Sequence, residues 1–253
     1  MLRVFLTGRI TITDDPRSVD ETSLPGTLGR VLFAALVLER QRLASDVLAD
    51  RLWPVESPAD WSKSLAPLAS KLRSALHPVA ASDGMPTIEA RDGGYELLLP
   101  PTVWIDIEDG TRRLDRAEAA LRHDDLRAAW LDAAPASAIF RRSFLTGFDA
   151  PWVDSVRHQL VDRRYRSWLV LAEVWRRQGE FALARTAATA AIDTDLWRED
   201  AHRLLIEIEL DSGNRASARR AAQRCVAVLR DDLGVEPSEQ TRSLMAEAGE
   251  PES

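Results

Sequence analysis

The sequence predicts a mixed fold class: an N-terminal α/β winged helix-turn-helix followed by a C-terminal all-α domain of tetratricopeptide-like helical repeats. The first observation behind this is an internal echo. Gly179-Glu-Phe-Ala-Leu-Ala-Arg-Thr-Ala-Ala realigns with Gly213-Asn-Arg-Ala-Ser-Ala-Arg-Arg-Ala-Ala at a spacing of 34 residues, the period of a tetratricopeptide hairpin. The second is the order of elements ahead of it, in which short strands, three helices and a hairpin succeed one another. Stacked hairpins bury a shared seam and leave a concave surface suited to holding another molecule.

Residues 1–105 make up the first predicted domain. Val4, Leu6, Ile10 and Ile12 alternate around a turn at Thr7-Gly8-Arg9, the period of half-buried strands. After the turn-rich Asp14-Asp15-Pro16 and Pro25-Gly26, the residues Val31, Leu32, Ala35, Leu36 and Leu38 share one broad helical face. A second helix takes Ser45 as its N-cap, turns Val47, Leu48, Leu52 and Trp53 inward and stops at Pro54. A third starts at Ser57-Pro58 and repeats Trp61, Leu65, Leu68, Leu72 and Leu76 at helical spacing toward the core.

The opposite face of that third helix carries Lys63, Ser64, Pro67, Ser70, Lys71 and Ser74, with Arg73 at its margin and Asp60 opposing their charge. Pro67 deletes a backbone bond in mid-helix and is expected to kink it, at a cost of about 3 kcal/mol relative to alanine. A linker through His77-Pro78 and Ser82-Asp83-Gly84 leads into a strand at Thr87–Ala90, a tight turn at Arg91–Gly94 and a strand at Tyr95–Leu99.

Residues 106–249 read as the second, all-α domain, with loops at His123-Asp124-Asp125, Gly147 to Pro151, Gly179, Gly213 and Gly234 to Pro237. In the best repeat, Trp168 and Trp175 lie on the first helix, Gly179 in the turn, and Ala184 and Ala191 on the second, where small residues let helices approach closely. The next copy keeps Gly213 and Ala218, has Cys225 in the place of Ala191, and has His202 where a tryptophan would sit. An earlier copy is read around Ala117 to Ala134, with His123 in the turn position.

Composition narrows the function classes. With 45% apolar and 29% charged residues in 253 positions, the chain is ordinary globular material for two domains. The single cysteine, Cys225, excludes an internal disulfide and a cysteine zinc cage. The opening Met1-Leu-Arg-Val-Phe breaks its apolar run too early for a signal peptide, and no stretch approaches a membrane span, so the expectation is a cytoplasmic protein with no membrane partner. A net charge of −7 argues against general nucleic-acid affinity, because phosphate binding draws on concentrated positive charge. Any DNA contact must be local. Residues 1–105 themselves hold 11 basic and 13 acidic side chains, a net of −2.

Trp53, Trp61, Trp168 and Trp175 read as core packing, whereas Trp104, Trp130, Trp152 and Trp197 have no clear place, and one of them facing the concave surface stays open. His77, His123, His158 and His202 are spaced too widely for a local metal pattern and read as surface or packing residues. Cys225 reads as a buried, inert thiol, and the carboxylate run Asp106 to Asp109 as a simple helix start. No Walker sequence, paired acid and base, or activated nucleophile can be assembled, so neither an enzyme nor a cofactor is expected.

Several strings in order along the chain resemble the SARP-type regulators of actinobacteria, in which an OmpR-type winged helix precedes a bacterial transcriptional activation domain. They are Leu48-Ala-Asp-Arg-Leu-Trp-Pro54, Ser70-Lys-Leu-Arg-Ser-Ala-Leu76, Gly94-Tyr-Glu-Leu97 and Trp104-Ile-Asp106, then Ser143-Phe-Leu-Thr-Gly147 leading to Trp152 and Arg157, Trp197-Arg-Glu199, and Leu233-Gly-Val-Glu-Pro-Ser238. The resemblance implies a transcriptional regulator whose third helix enters a major groove of promoter DNA and whose repeats contact RNA polymerase, another protein or a second protomer in a homodimer.

On that reading Lys63, Ser64, Ser70, Lys71, Arg73 and Ser74 face the groove, while Arg91 at the wing and Arg42 before the second helix are candidate phosphate contacts. Asp60 and Asp92 would face phosphates too. The alternative is an interaction or effector-sensing adaptor whose winged helix is degenerate and does not bind DNA.

Overall fold

The computed structural model describes residues 1–80 and 85–249; the linker expectation at Ser82-Asp83-Gly84 lies outside them. The chain divides into two compact units, Met1–Asp109 with Arg142–Gln159, and Gly110–Arg141 with Leu160 onward. The fold class is the predicted one, a small α/β region and a mostly helical remainder.

In chain order the first unit holds β1 (Arg3–Phe5), β2 (Thr11–Asp14), β3 (Arg17–Asp20), α1 (Gly26–Glu39), β4 (Leu43–Ala44), α2 (Ser45–Leu52), α3 (Trp61–Leu76), a 3-10 turn at His77–Val79, β5 (Thr87–Arg91), β6 (Gly94–Leu98) and β7 (Trp104–Ile105). One sheet runs β3-β2-β1-β7, antiparallel except for the parallel β1–β7 pair; the other runs β4-β6-β5. Val4, Leu6, Ile10 and Ile12 are all buried, as their alternation predicts. Sequence reading missed β3, because of its four residues only Val19 is buried and one apolar position makes no period.

Three local expectations need correction. The first helix does not present one face: Val31 through Val37 are buried without interruption, so α1 is a central helix surrounded by packing. Val47 is 40% exposed, because α2 buries the stripe Leu48, Ala49 and Leu52, and Val47 sits about 100° round the helix from Leu48. Ser45 is the first helical residue and Ala44 the N-cap; the Ser45 hydroxyl donates instead to the Gly93 carbonyl at 2.8 Å.

Helix α3 begins three residues after Pro58 and is helical without a break across Pro67. Leu65, Ala69, Leu72 and Leu76 form its buried seam, with Trp61 and Leu68 half-buried beside it. The hairpin β5–β6 closes with a two-residue turn in which Asp92 and Gly93 have φ of 47° and 72°, the primed turn that matches strand twist. Gly94 has to be glycine, since a Cβ there would collide with the Leu43 carbonyl across the β4–β6 pair.

Asp106, expected to be a plain helix start, is a buried anchor. Its carboxylate accepts from the Leu6 amide at 3.0 Å, the Thr7 amide at 2.9 Å and the Thr7 hydroxyl at 2.7 Å. It thereby ties the start of α4 (Asp106–Arg122) to the end of β1.

The remaining helices are α5 (Leu126–Phe140), α6 (Pro151–Arg177), α7 (Phe181–Thr194), α8 (Glu199–Asp211), α9 (Arg215–Leu233) and α10 (Glu239–Gly249). The same turn joins α4 to α5, α6 to α7 and α8 to α9. Gly179 and Gly213 have φ of 77° and 73°, and the residue after each donates its amide five residues back, Glu180 to Trp175 at 2.9 Å and Asn214 to Glu209 at 2.8 Å. Asp125 donates to Ala120 at 2.9 Å in the identical pattern. The earlier copy therefore exists, but its turn position is Asp124, at φ 59°, rather than His123. Aspartate tolerates the left-handed region better than most residues, and that hid the alignment with the two glycines.

Ala184, Ala191 and Ala218 are fully buried at the predicted packing positions, and so is Cys225. Burial pushes the Cys225 thiol up to about 11, which keeps it protonated. Trp168 packs half-buried against Tyr165, Ala191 and Ile192.

Candidate nucleic-acid interface

Lys63, Ser64, Pro67, Ser70, Lys71 and Ser74 are all exposed on α3. Their offsets of one, four, seven, eight and eleven residues from Lys63 place them on one face. Lys63 and Lys71 are two turns apart, about 12 Å along the axis at 1.5 Å per residue. That face is what the seam Leu65, Ala69, Leu72 and Leu76 leaves outward, so the burial of one stripe fixes the presentation of the other.

The cations on and beside this face are largely committed. Lys63 Nζ pairs with Asp60 at 3.0 Å. Arg73 Nε donates to the Ile88 carbonyl at 2.6 Å and so fastens α3 to β5. Arg91 pairs with its neighbour Asp92 at 3.4 Å, and Arg42 donates to the Asp92 carbonyl at 2.9 Å. Lys71 has no ion-pair partner among the described residues. The Ser74 hydroxyl donates back to the Ser70 carbonyl at 3.1 Å.

The structure thus brings Lys63, Ser64, Ser70, Lys71 and Ser74 together on one helix face, and groups Arg42 and Arg91 at the hairpin turn. Arg42 and Arg73 hold backbone while still exposed. Ser45, which sequence reading did not connect with the wing, fixes it through amide and hydroxyl to the Gly93 carbonyl at 3.0 and 2.8 Å; a serine in the first helical turn carries no signal for a contact 48 residues away. The hairpin also sets Glu89 directly opposite Glu96. Two carboxylates face to face weaken any phosphate contact there.

Among the described residues no group of three or more His, Cys, Asp or Glu side chains converges as a metal site requires, and no helix is long and apolar enough to cross a membrane. His202 is buried in the repeat unit with Nε2 at 2.8 Å from the Leu196 carbonyl.

Residues 105–248 match the family of the bacterial transcriptional activator domain. No curated protein matches the sequence. Among solved structures, the chain is similar to Mycobacterium tuberculosis EmbR, solved in complex with a low-affinity phosphopeptide, with a TM-score of 0.86 and 23% identity. That similarity covers 98% of this chain and 64% of the EmbR chain.

Proposed function

This chain belongs to the family of the bacterial transcriptional activator domain, and we propose that it is a regulator of the SARP type that binds promoter DNA sequence-specifically and activates transcription. Residues 1–105 serve as the DNA-binding domain and residues 106–249 as the activation domain. The observation that carries the reading is the outward face of α3, on which five short or cationic side chains and Pro67 stand exposed along about three turns beside a fastened hairpin. A major groove about 12 Å wide admits one helix of this kind, serines and lysines reading base edges while neighbouring groups hold phosphates. The protein acts in the cytoplasm and without catalysis. Its repeats engage RNA polymerase, another protein or a second protomer.

Enrichment from random oligonucleotides tests this directly. A selected sequence is expected, bound with an affinity that falls steeply with salt. The combined Lys63→Glu and Lys71→Glu change should weaken it at least about tenfold, since two phosphate-range cations become anions. Failure to select any sequence ends the reading.

A second reading is favoured by the pairing of Lys63 with Asp60 and of Arg91 with Asp92: an adaptor that keeps the winged shape and docks proteins only. Recovery of one stoichiometric protein partner from a preparation in which DNA neither binds nor competes would establish it.

A further inference from the structure

A cavity of about 300 Å³ lies within the first unit, between the β1–β2 turn, the first turn of α1 and the loop Ser143–Phe148. Arg9 and Arg30 enter it from two elements and share a single carboxylate, Glu21, at 3.5 and 3.8 Å. Those separations give Coulombic attraction without hydrogen bonds, so neither guanidinium spends its directional N–H donors on Glu21. Asp20, the other nearby acid, accepts instead from the Thr22 amide at 2.9 Å and hydroxyl at 2.5 Å. Arg30 does donate to the Thr27 hydroxyl at 3.0 Å, which leaves the Thr27 proton to point at a ligand. The floor is apolar, formed by the buried Ile10, Val31 and Leu145.

The loop that closes the cavity is held in place beforehand. Arg157 donates to the carbonyls of Phe144, Leu145 and Phe148 at 3.2, 2.8 and 2.9 Å, and the Gly8 amide donates to the Ser143 carbonyl at 2.7 Å. The loop backbone also keeps Leu145 at φ 44°, a conformation that costs a leucine energy and persists only where the surroundings enforce it. A site whose walls are fixed before binding loses less affinity to ordering.

We propose that this cavity binds a small organic anion, a carboxylate or phosphate head held between Arg9 and Arg30 with an apolar body laid on Ile10, Val31 and Leu145. Paired guanidiniums match the planar or tetrahedral oxygens of such a head, and the volume suits a ligand of metabolite size. The site is separate from the outward face of α3 and from any DNA contact made there.

Phenyl phosphate, benzoate and inorganic phosphate titrated into the full chain, with amide shifts of Gly8, Thr27 and Gly147 as readout, test the inference whether or not the protein binds DNA. Saturable shifts at those amides are expected with phenyl phosphate or benzoate, the tighter of the two identifying the head group, and weaker binding with inorganic phosphate, which lacks the body. Arg9→Ala and Arg30→Gln should each weaken binding roughly tenfold while the chain keeps its melting temperature; Arg9 is a surface side chain, so its variant folds even if the other does not. No saturable shift up to about 10 mM, a range that spans weak millimolar binding, overturns the inference. So does wild-type affinity in Arg9→Ala.

Discussion

The first unit fills its interior with large side chains, Leu6, Ile12, Phe33, Leu36, Leu48, Leu52, Leu65 and Leu72, whereas the helical unit sets a recurrent series of fully buried alanines, Ala184, Ala187, Ala188, Ala191, Ala201 and Ala218, among fewer large ones such as Tyr165, Ile192, Ile206 and Ile208. Elements of the first unit differ in kind and leave uneven gaps that long aliphatic chains fill. Antiparallel helices of the second unit meet at repeated geometry, so small residues suffice and backbones come close. Polar ties differ as well. Between its helices the second unit uses paired arginine and carboxylate, Arg166 to Glu118 at 2.8 Å through both nitrogens and Arg185 to Glu209 at 2.5 and 2.9 Å. The first unit relies on side chains that bond backbone, Asp106, Arg73 and Ser45 among them. One unit is a specific assembly of unlike parts; the other is a repeated joint.

This contrast predicts opposite sensitivities to size. Leu72→Ala removes a fully buried side chain from the seam of α3 and should cost about 3 kcal/mol, since the unlike elements around it cannot collapse evenly. Urea unfolding followed by a probe in the first unit measures it; a cost below about 1 kcal/mol would show that the seam is loosely packed. Ala191→Leu is the converse. Added methylenes between α7 and its neighbours should cost about 2 kcal/mol by forcing helices apart, and a neutral result would mean that the helices of this repeat do not depend on close approach.

What the sequence disclosed follows from the same distinction. Repetition is legible: Gly179 and Gly213 each mark a turn, and their spacing alone locates two hairpins. The third hairpin was misaligned by one residue because Asp124 adopts the glycine conformation without being glycine. In the winged part, the α3 seam was legible because one stripe of a helix is buried and the other is not. The anchoring role of Asp106 was not, since its partners Leu6 and Thr7 lie about a hundred residues away and contribute mainly backbone amides. Of the candidate interface, the grouping of Lys63, Ser64, Ser70, Lys71 and Ser74 could be read from periodicity, but the engagement of Arg73 and Arg42 with backbone carbonyls could not.

The turns offer a finer comparison within the repeat unit. Gly179→Ala places a Cβ at φ 77° and should cost about 1 kcal/mol. Asp124→Gly, at the equivalent turn, relieves the strain of a non-glycine residue at φ 59° but also removes the exposed ion pair of Asp124 with Arg177 at 3.1 Å, so its net effect should stay within about 0.5 kcal/mol of zero. Matched thermal melts of the two variants check this, and the idea of a common turn fails if Asp124→Gly costs as much as Gly179→Ala.

The smallest effect concerns a buried titratable group of the repeat unit, and it appears only as a pH dependence. Burial holds the His202 imidazole below its ordinary range, despite the hydrogen bond to the Leu196 carbonyl. The folded chain therefore gives up this proton at lower pH than the unfolded chain, so the unfolded state binds more protons over the interval between the two values. Stability rises with pH there and is lost as pH falls from about 6.5 toward the folded value. The lowered carboxylates Asp132, Glu173 and Glu199 act in the same direction but only at more acid pH, below about 4.5. A melting temperature that declines between pH 7 and about pH 5 in the wild type, and stays flatter in His202→Gln, assigns the slope to this histidine. Glutamine keeps an N–H donor for Leu196 and has no charge to gain, so an equal decline in both proteins places the titrating group elsewhere.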